Sequence, residues 1–201
     1  MAVANKSEKM TAREAKRLQT RERLLGAATA EFKRTGMAQA DVGAIVAAAG
    51  VAHGTFFFHF PTKEHVLLEV ELREEERIAK QFRSYLKAPH DISEVLAEAA
   101  RLIMDLERRL GDPLFTDFLA LHFSPTRPVA SEGEDHPLIV LVAEQIELAR
   151  SRGEIDAEVV AMNSAIFFLL GLYALLITTH AWPTRQDLVD DYLRRAQKSL
   201  T

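Results

Sequence analysis

The chain has 201 residues, 48% of them hydrophobic and 27% charged, with no cysteine and a formal net charge of -4. That length suits one sizeable core, or a small and a medium domain side by side. The absence of cysteine excludes disulfides and thiol chemistry and fits a cytoplasmic setting, and the small net charge argues against a protein that grips a polyanion over its whole surface.

In chain order, the first 23 residues are polar and charged, with no apolar core that would serve as a signal peptide. Leu24, Ala28 and Phe32 recur every four residues and predict an amphipathic helix that stops at Thr35-Gly36. Asp41 is placed to cap a short helix over 42–49, closed by Gly50. A third short helix fits 52–60 and is broken by Pro61. Thr62 then caps a fourth, which starts at Lys63 and runs past Phe82 towards Pro89. Longer helices follow at 92–110, stopped by Gly111, and at 113–123. Residues 124–137 hold three prolines, one glycine and four charged side chains and read as the clearest loop. Helices over 138–152, 156–180 and 187–200 complete the chain. The fold class is therefore all-α with about nine helices: a three-helix N-terminal unit with a helix-turn-helix, then a larger helical unit. The boundary is expected between residues 62 and 63.

Charge divides along the same line. Residues 1–70 hold ten Lys/Arg against seven Asp/Glu, a net of +3, whereas residues 71–201 hold 15 against 22, a net of -7. A basic end on an acidic body is the distribution of a DNA reader joined to a part that does not touch DNA.

The stretch 41–60 reads DVGAIVAAAGVAHGTFFFHF. Val42, Ile45 and Val46 give its first helix an apolar face. Ala49 is small enough for the next helix to cross close above it, Gly50 permits the turn, and Val51 plugs the junction. Those residue types at those offsets are what a tight helix-turn-helix crossing needs, and the second helix can then lie in a major groove.

Three segments, RERLLGAATAEFKRTG at 21–36, IVAAAGVAHGTFFFHF at 45–60 and PTKEHVLLEV at 61–70, resemble the DNA-binding domain of the TetR family of bacterial transcriptional regulators. The resemblance covers a little over a quarter of the chain. It implies a homodimer that binds double-stranded DNA through the N-terminal unit and a small effector through the C-terminal one, and it implies repression. Carried over residue by residue, it makes Thr55 a contact to phosphate or a base edge. Lys63, at the start of the fourth helix, becomes a phosphate contact. His53 and Gly54 open the exposed face of the recognition helix, and His59 is a phosphate candidate at its exit. Arg17, with Arg13 and Lys16, forms a basic arm or a first helical turn beside the DNA backbone. Three positions depart from the family pattern: Phe57 stands where a tyrosine is common, Asp41 replaces a threonine cap, and Ala52 replaces a serine. Phe56 and Phe60, at i and i+4, read as core; Phe58 faces either solvent or DNA.

In the C-terminal part, residues 159–181 carry no Asp, Glu, Lys or Arg. The run is long enough to span a bilayer, but burial in a core and a subunit interface explains it better, so no membrane partner is expected. Ser164, Gly171 and Thr178 recur every seven residues and form a narrow seam which, with Leu175, is the expected dimer interface. Phe115, Phe118, His122, Phe123, Asn163 and Phe167 are the candidate lining of an effector pocket for an acyl chain or another lipophile. The run Glu74-Glu75-Glu76 reads as a solvated helix face. No phosphate loop, nucleophile elbow or HExxH pattern is present, so neither an enzyme nor a metal or cofactor site is expected. The alternative to a regulator is a helical scaffold that keeps the fold without reading DNA.

Overall fold

The computed structural model describes residues 11–124, 127–128 and 136–201, apart from the side chain of His122. Among the described residues there are nine α-helices and no strand: α1 (Ala12–Thr35), α2 (Val42–Ala49), α3 (His53–His59), α4 (Lys63–Tyr85), α5 (Ile92–Leu110), α6 (Asp112–His122), α7 (Pro137–Ser151), α8 (Ala161–Thr179) and α9 (Arg185–Lys198).

Helix α1 begins well before its apolar stripe. Thr11 accepts a hydrogen bond from the Glu14 backbone N–H at 3.2 Å, and the Glu14 carboxylate accepts one from the Thr11 backbone N–H at 2.8 Å. This reciprocal capping box satisfies two orphan donors and carries the helix through the basic segment. Arg13, Lys16 and Arg17 are therefore exposed side chains of a helix and not of an extended arm. Leu24, Leu25, Ala28 and Phe32 form its buried face.

Asp41 caps α2 as expected, accepting from the N–H groups of Gly43 and Ala44. Gly50 ends α2 at φ 64°, a left-handed conformation that glycine adopts without a Cβ penalty. The Val51 N–H then reaches back to the Val46 carbonyl at 3.0 Å. This sharp stop turns the chain by 95° between α2 and α3. Phe56 and Phe60 are fully buried beneath α3. Thr62 stands at the N-cap of α4, but its hydroxyl pairs with the His65 ring at 3.0 Å and makes no capping bond to the backbone.

Helix α4 joins the two parts of the molecule. It packs on α1 at one side and on α5, α6 and α7 at the other. The buried apolar side chains run as one continuous cluster from Leu24 to Leu200. Helix α6 also reaches the N-terminal unit: the Asp117 carboxylate accepts from the Met37 N–H at 2.5 Å in the turn between α1 and α2, and Lys33 donates to the Arg109 carbonyl at 2.8 Å.

Helix α8 starts at Ala161, later than the periodicity implies. The Asp156 side chain accepts from the Glu158 N–H, and its own N–H donates to the Leu200 carbonyl, so Asp156 belongs to a turn that holds the C-terminal end. Helix α8 is the one described helix long and apolar enough by itself to cross a membrane. One side of it packs against α7 and α9 through Ala165, Phe168, Leu172 and Leu176, while Met162, Phe167 and Leu170 are exposed on the other.

Candidate nucleic-acid interface and the interior of the C-terminal part

The outer face of α3 is made by His53, Gly54, Phe57 and Phe58, all exposed, with Thr55 half-buried beside them. The structure thus brings His53, Gly54 and Thr55 together on one surface. The other candidates lie around its ends. The Arg21 guanidinium sits 4.1 Å above the Phe60 ring and donates to the His59 carbonyl at 2.5 Å. This fixes the exit of α3 against α1 and brings Arg17, one turn earlier on α1, towards His59. Burial first, and then the positive charges of Arg21 and Arg17, hold the His59 imidazole below its ordinary pKa. Lys63 donates to the carbonyls of Ala38 and Ala40 at 3.0 and 3.3 Å. It thus steadies the turn before α2, and an ammonium has three donors, which leaves one to point outwards.

Residues 24–70 match the model of the tetR family of bacterial regulatory proteins. The span runs from the first buried residue of α1 through the whole α2–α3 crossing into α4. The chain is 26% identical over 149 residues to the HTH-type transcriptional regulator UidR of Escherichia coli, an alignment covering 73% of this chain and 75% of that protein. Residues 24–70 thus carry the helix-turn-helix region of the tetR family of bacterial regulatory proteins.

Among solved structures, Thermus thermophilus FadR, a TetR-family repressor in complex with lauroyl-CoA, superposes with a TM-score of 0.71 at 25% identity, over 90% of this chain and 92% of that one. RolR in complex with resorcinol shares the fold, with a TM-score of 0.65 at 20% identity over 92% and 89% of the two chains. These similarities support a transcription regulator with a DNA-binding helix-turn-helix, formed here by α2 and α3.

Of the six residues expected to line an effector pocket, the five whose side chains are described do not converge. Phe115 and Phe118 are buried, with ring centroids 6.4 Å apart and nearly parallel. Phe123 is half exposed. Asn163 is exposed, and Phe167, 72% exposed, stands on the outer face of α8. The side chain of His122 lies outside the described residues.

The dimer seam is also rearranged. A Cβ on Gly171 would overlap the Tyr192 hydroxyl and lie 3.1 Å from two of its ring carbons. That hydroxyl donates to the Phe168 carbonyl at 2.6 Å. Ser164 lines a groove of about 420 Å³ with Tyr192 and Ala196. The small residues Ser164 and Gly171 thus receive α9 of the same chain. Thr178 is exposed and donates to the Ala174 carbonyl within its own helix, and Leu175 packs partly into the core.

Sequence reasoning missed the most polar part of the interior. Glu71 is fully buried and Glu75 7% exposed, both on the inner face of α4. Arg127 reaches the Glu71 carboxylate at 3.1 Å and His136 reaches Glu75 at 2.8 Å, so both partners come from the connection between α6 and α7. Tyr173 of α8 lies alongside, 6.4 Å from the His136 ring. Burial, followed by the charges of Glu75 and Glu71, holds its hydroxyl protonated, above its ordinary range. The reading of Glu74-Glu75-Glu76 as a solvated face is corrected at two positions: of the three, only Glu76 is exposed, paired with Arg83 at 3.3 Å, while Glu74 is half-buried and pairs with Arg109 at 2.6 Å. The available signal was register, since Leu67, Glu71, Glu75, Ile78 and Phe82 fall in one helical stripe of otherwise buried apolar residues.

Proposed function

We propose that the protein is a homodimeric, cytoplasmic repressor that binds a near-palindromic operator with two recognition helices and leaves it when a small hydrophobic effector binds. The observation that carries this reading is the pairing of an exposed α3 with a second exposed apolar surface on α8. A monomer gains nothing from showing Met162, Phe167 and Leu170 to water, whereas a two-fold partner covers them. Two copies related by such an axis present two reading heads to successive major grooves. In this reading residues 1–62 are the head and 63–201 the effector-binding and dimerisation part. His53, Gly54 and Thr55 face the groove, and Arg17, His59 and Lys63 flank it at the phosphates. Phe167, with the exposed Thr178, belongs to the dimer surface.

An acyl chain or a similar lipophile is the effector class, seated beside Phe115 and Phe118. The support is the lauroyl-CoA complex of the Thermus relative together with the aromatic interior of α6. Such a ligand releases DNA only to the extent that it binds the DNA-incompatible arrangement more tightly than the DNA-bound one.

The test is an unbiased selection of DNA fragments by the purified chain at several salt concentrations, followed by release with medium-chain acyl-CoA. The expected result is a near-palindromic site bound far above random DNA, weakened by Lys63→Ala and Thr55→Ala. Weak, salt-dependent binding without sequence preference would overturn the reading and leave a helical scaffold in its place.

A further inference from the structure

Helix α3 carries few of the groups that read base edges by hydrogen bonds. Residues 51–60 include no Arg, Lys, Asn, Gln, Asp or Glu, so neither the bidentate contact to guanine nor the bidentate contact to adenine is available there. His53, Thr55 and His59 are the polar side chains. Thr55 and His59 are half-buried, and the carbonyl of His59 is taken by Arg21. What α3 offers outwards is aromatic: Phe57 is 49% exposed and Phe58 71%. The buried aromatic positions of α3 and its exit are Phe56 and Phe60, both fully buried. Gly54 precedes Phe58 by four residues on the same face, and a Cβ at Gly54 would meet nothing within 4 Å. The surface at Gly54, one turn before Phe58, is therefore bare backbone open to an approaching group.

Of the groups exposed on the floor of a B-form major groove, the 5-methyl of thymine is the apolar one. We propose that α3 reads its operator chiefly through thymine methyl groups, with Phe58 as the principal contact, Phe57 beside it and the bare backbone at Gly54 leaving room for the methyl. The inference rests on the DNA-reading function proposed above and adds the chemistry by which sequence is told apart. It makes Phe58 a specificity-determining residue and expects thymines at one or two fixed positions in each half-site.

The experiment starts from the site recovered by selection with the full chain. Each thymine of the half-site is replaced in turn by deoxyuridine, which removes the methyl and leaves base pairing intact, and affinity is measured at one salt concentration. At the contacted positions binding should weaken about fourfold per methyl, the transfer free energy of one buried CH2-sized group, and about 16-fold when both half-sites are changed. Phe58→Ala should bind the thymine and uracil sites alike, whereas Phe58→Leu should keep part of the difference. Both variants should retain the wild-type thermal midpoint, because the ring is outside the core. If the wild type binds every uracil site as tightly as the thymine site, or Phe58→Ala and Phe57→Ala both keep full sensitivity to the methyl, the inference is overturned while the regulator stands. If no specific site is recovered at all, the proposed function falls first and the inference falls with it.

Discussion

The two ends of the molecule use polarity in opposite ways. The reading head, which meets a polyanion, turns phenylalanines outwards at positions 57 and 58 and keeps much of its charge for holding itself together: Arg21 binds Glu69 and the His59 carbonyl, and Lys63 binds the carbonyls of Ala38 and Ala40. The C-terminal part has an acidic sequence and places two of its carboxylates, Glu71 and Glu75, inside. The contrast teaches that residue type alone does not reveal which surface is meant for another molecule. An exposed apolar group with no partner in its own chain is the better marker, and a charge is more often part of the scaffold.

This comparison can be broken most forcefully from the interior. Removing Arg127 takes a guanidinium away from the fully buried Glu71 carboxylate, and the cost should be about 3 kcal/mol, the low end for a broken buried pair because the arginine side chain is 29% exposed. Urea unfolding of Arg127→Ala measures it, and the double variant Glu71→Leu with Arg127→Leu should recover most of the loss. A loss in Arg127→Ala no larger than that of an exposed arginine would show that the buried charges are not structural. Next in size is Gly171→Ala, which must push the Tyr192 ring off the Phe168 carbonyl and should cost about 2 kcal/mol. The loss should not vary with protein concentration, since the helix displaced is the chain's own α9; a strong concentration dependence would return Gly171 to the subunit interface.

Between head and body, Asp117→Ala removes the acceptor of the Met37 N–H and should cost about 1.5 kcal/mol, with faster hydrogen exchange at the Met37 amide. Unchanged exchange there would mean that α6 does not grip the head through this bond. The smallest effect lies in the charge network of the head. A hydrogen bond from Arg73 holds the Glu22 carboxyl below its ordinary pKa. Burial raises that of Glu69, but hydrogen bonds from Arg21 and Arg73 outweigh it and the net shift is again downwards. Depressed carboxylates contribute stability that is complete above their unfolded value near 4.5 and is lost as pH falls through the lower folded value. Glu69→Gln should therefore flatten the acid limb of the stability curve by about 1 kcal/mol or less, since these side chains are partly solvated.

The fold was legible where local chemistry decides it. Asp41 and Gly50 are cap signals that need nothing from the rest of the chain, and they set the helix-turn-helix. The start of α1 escaped notice because Thr11 and Glu14 make their capping box before an exposed stretch that shows no apolar period. The candidate DNA face was legible for the same local reason, since exposure on a seven-residue helix follows from register. The interior was not. Glu75 stands inside a run of three glutamates that looks solvated, and the partners that allow burial, Arg127 and His136, lie more than 50 residues further along. The seven-residue spacing of Ser164 and Gly171 announced a close helix approach, but nothing in it says whether the approaching helix belongs to the same chain.

Helix α4 has a mechanical consequence. Its first turn touches the head and its later turns are set among α5, α6 and α7, with Glu71 and Glu75 as its charged anchor points. At 1.5 Å per residue, its 23 residues make a lever about 34 Å long. A tilt of about 5° about the anchored end carries the other end, with the head bonded to it, through about 3 Å, close to the 3.4 Å rise between neighbouring base pairs. A movement too small to disturb the packing of the body is thus large enough to put a recognition helix out of register with the bases it reads.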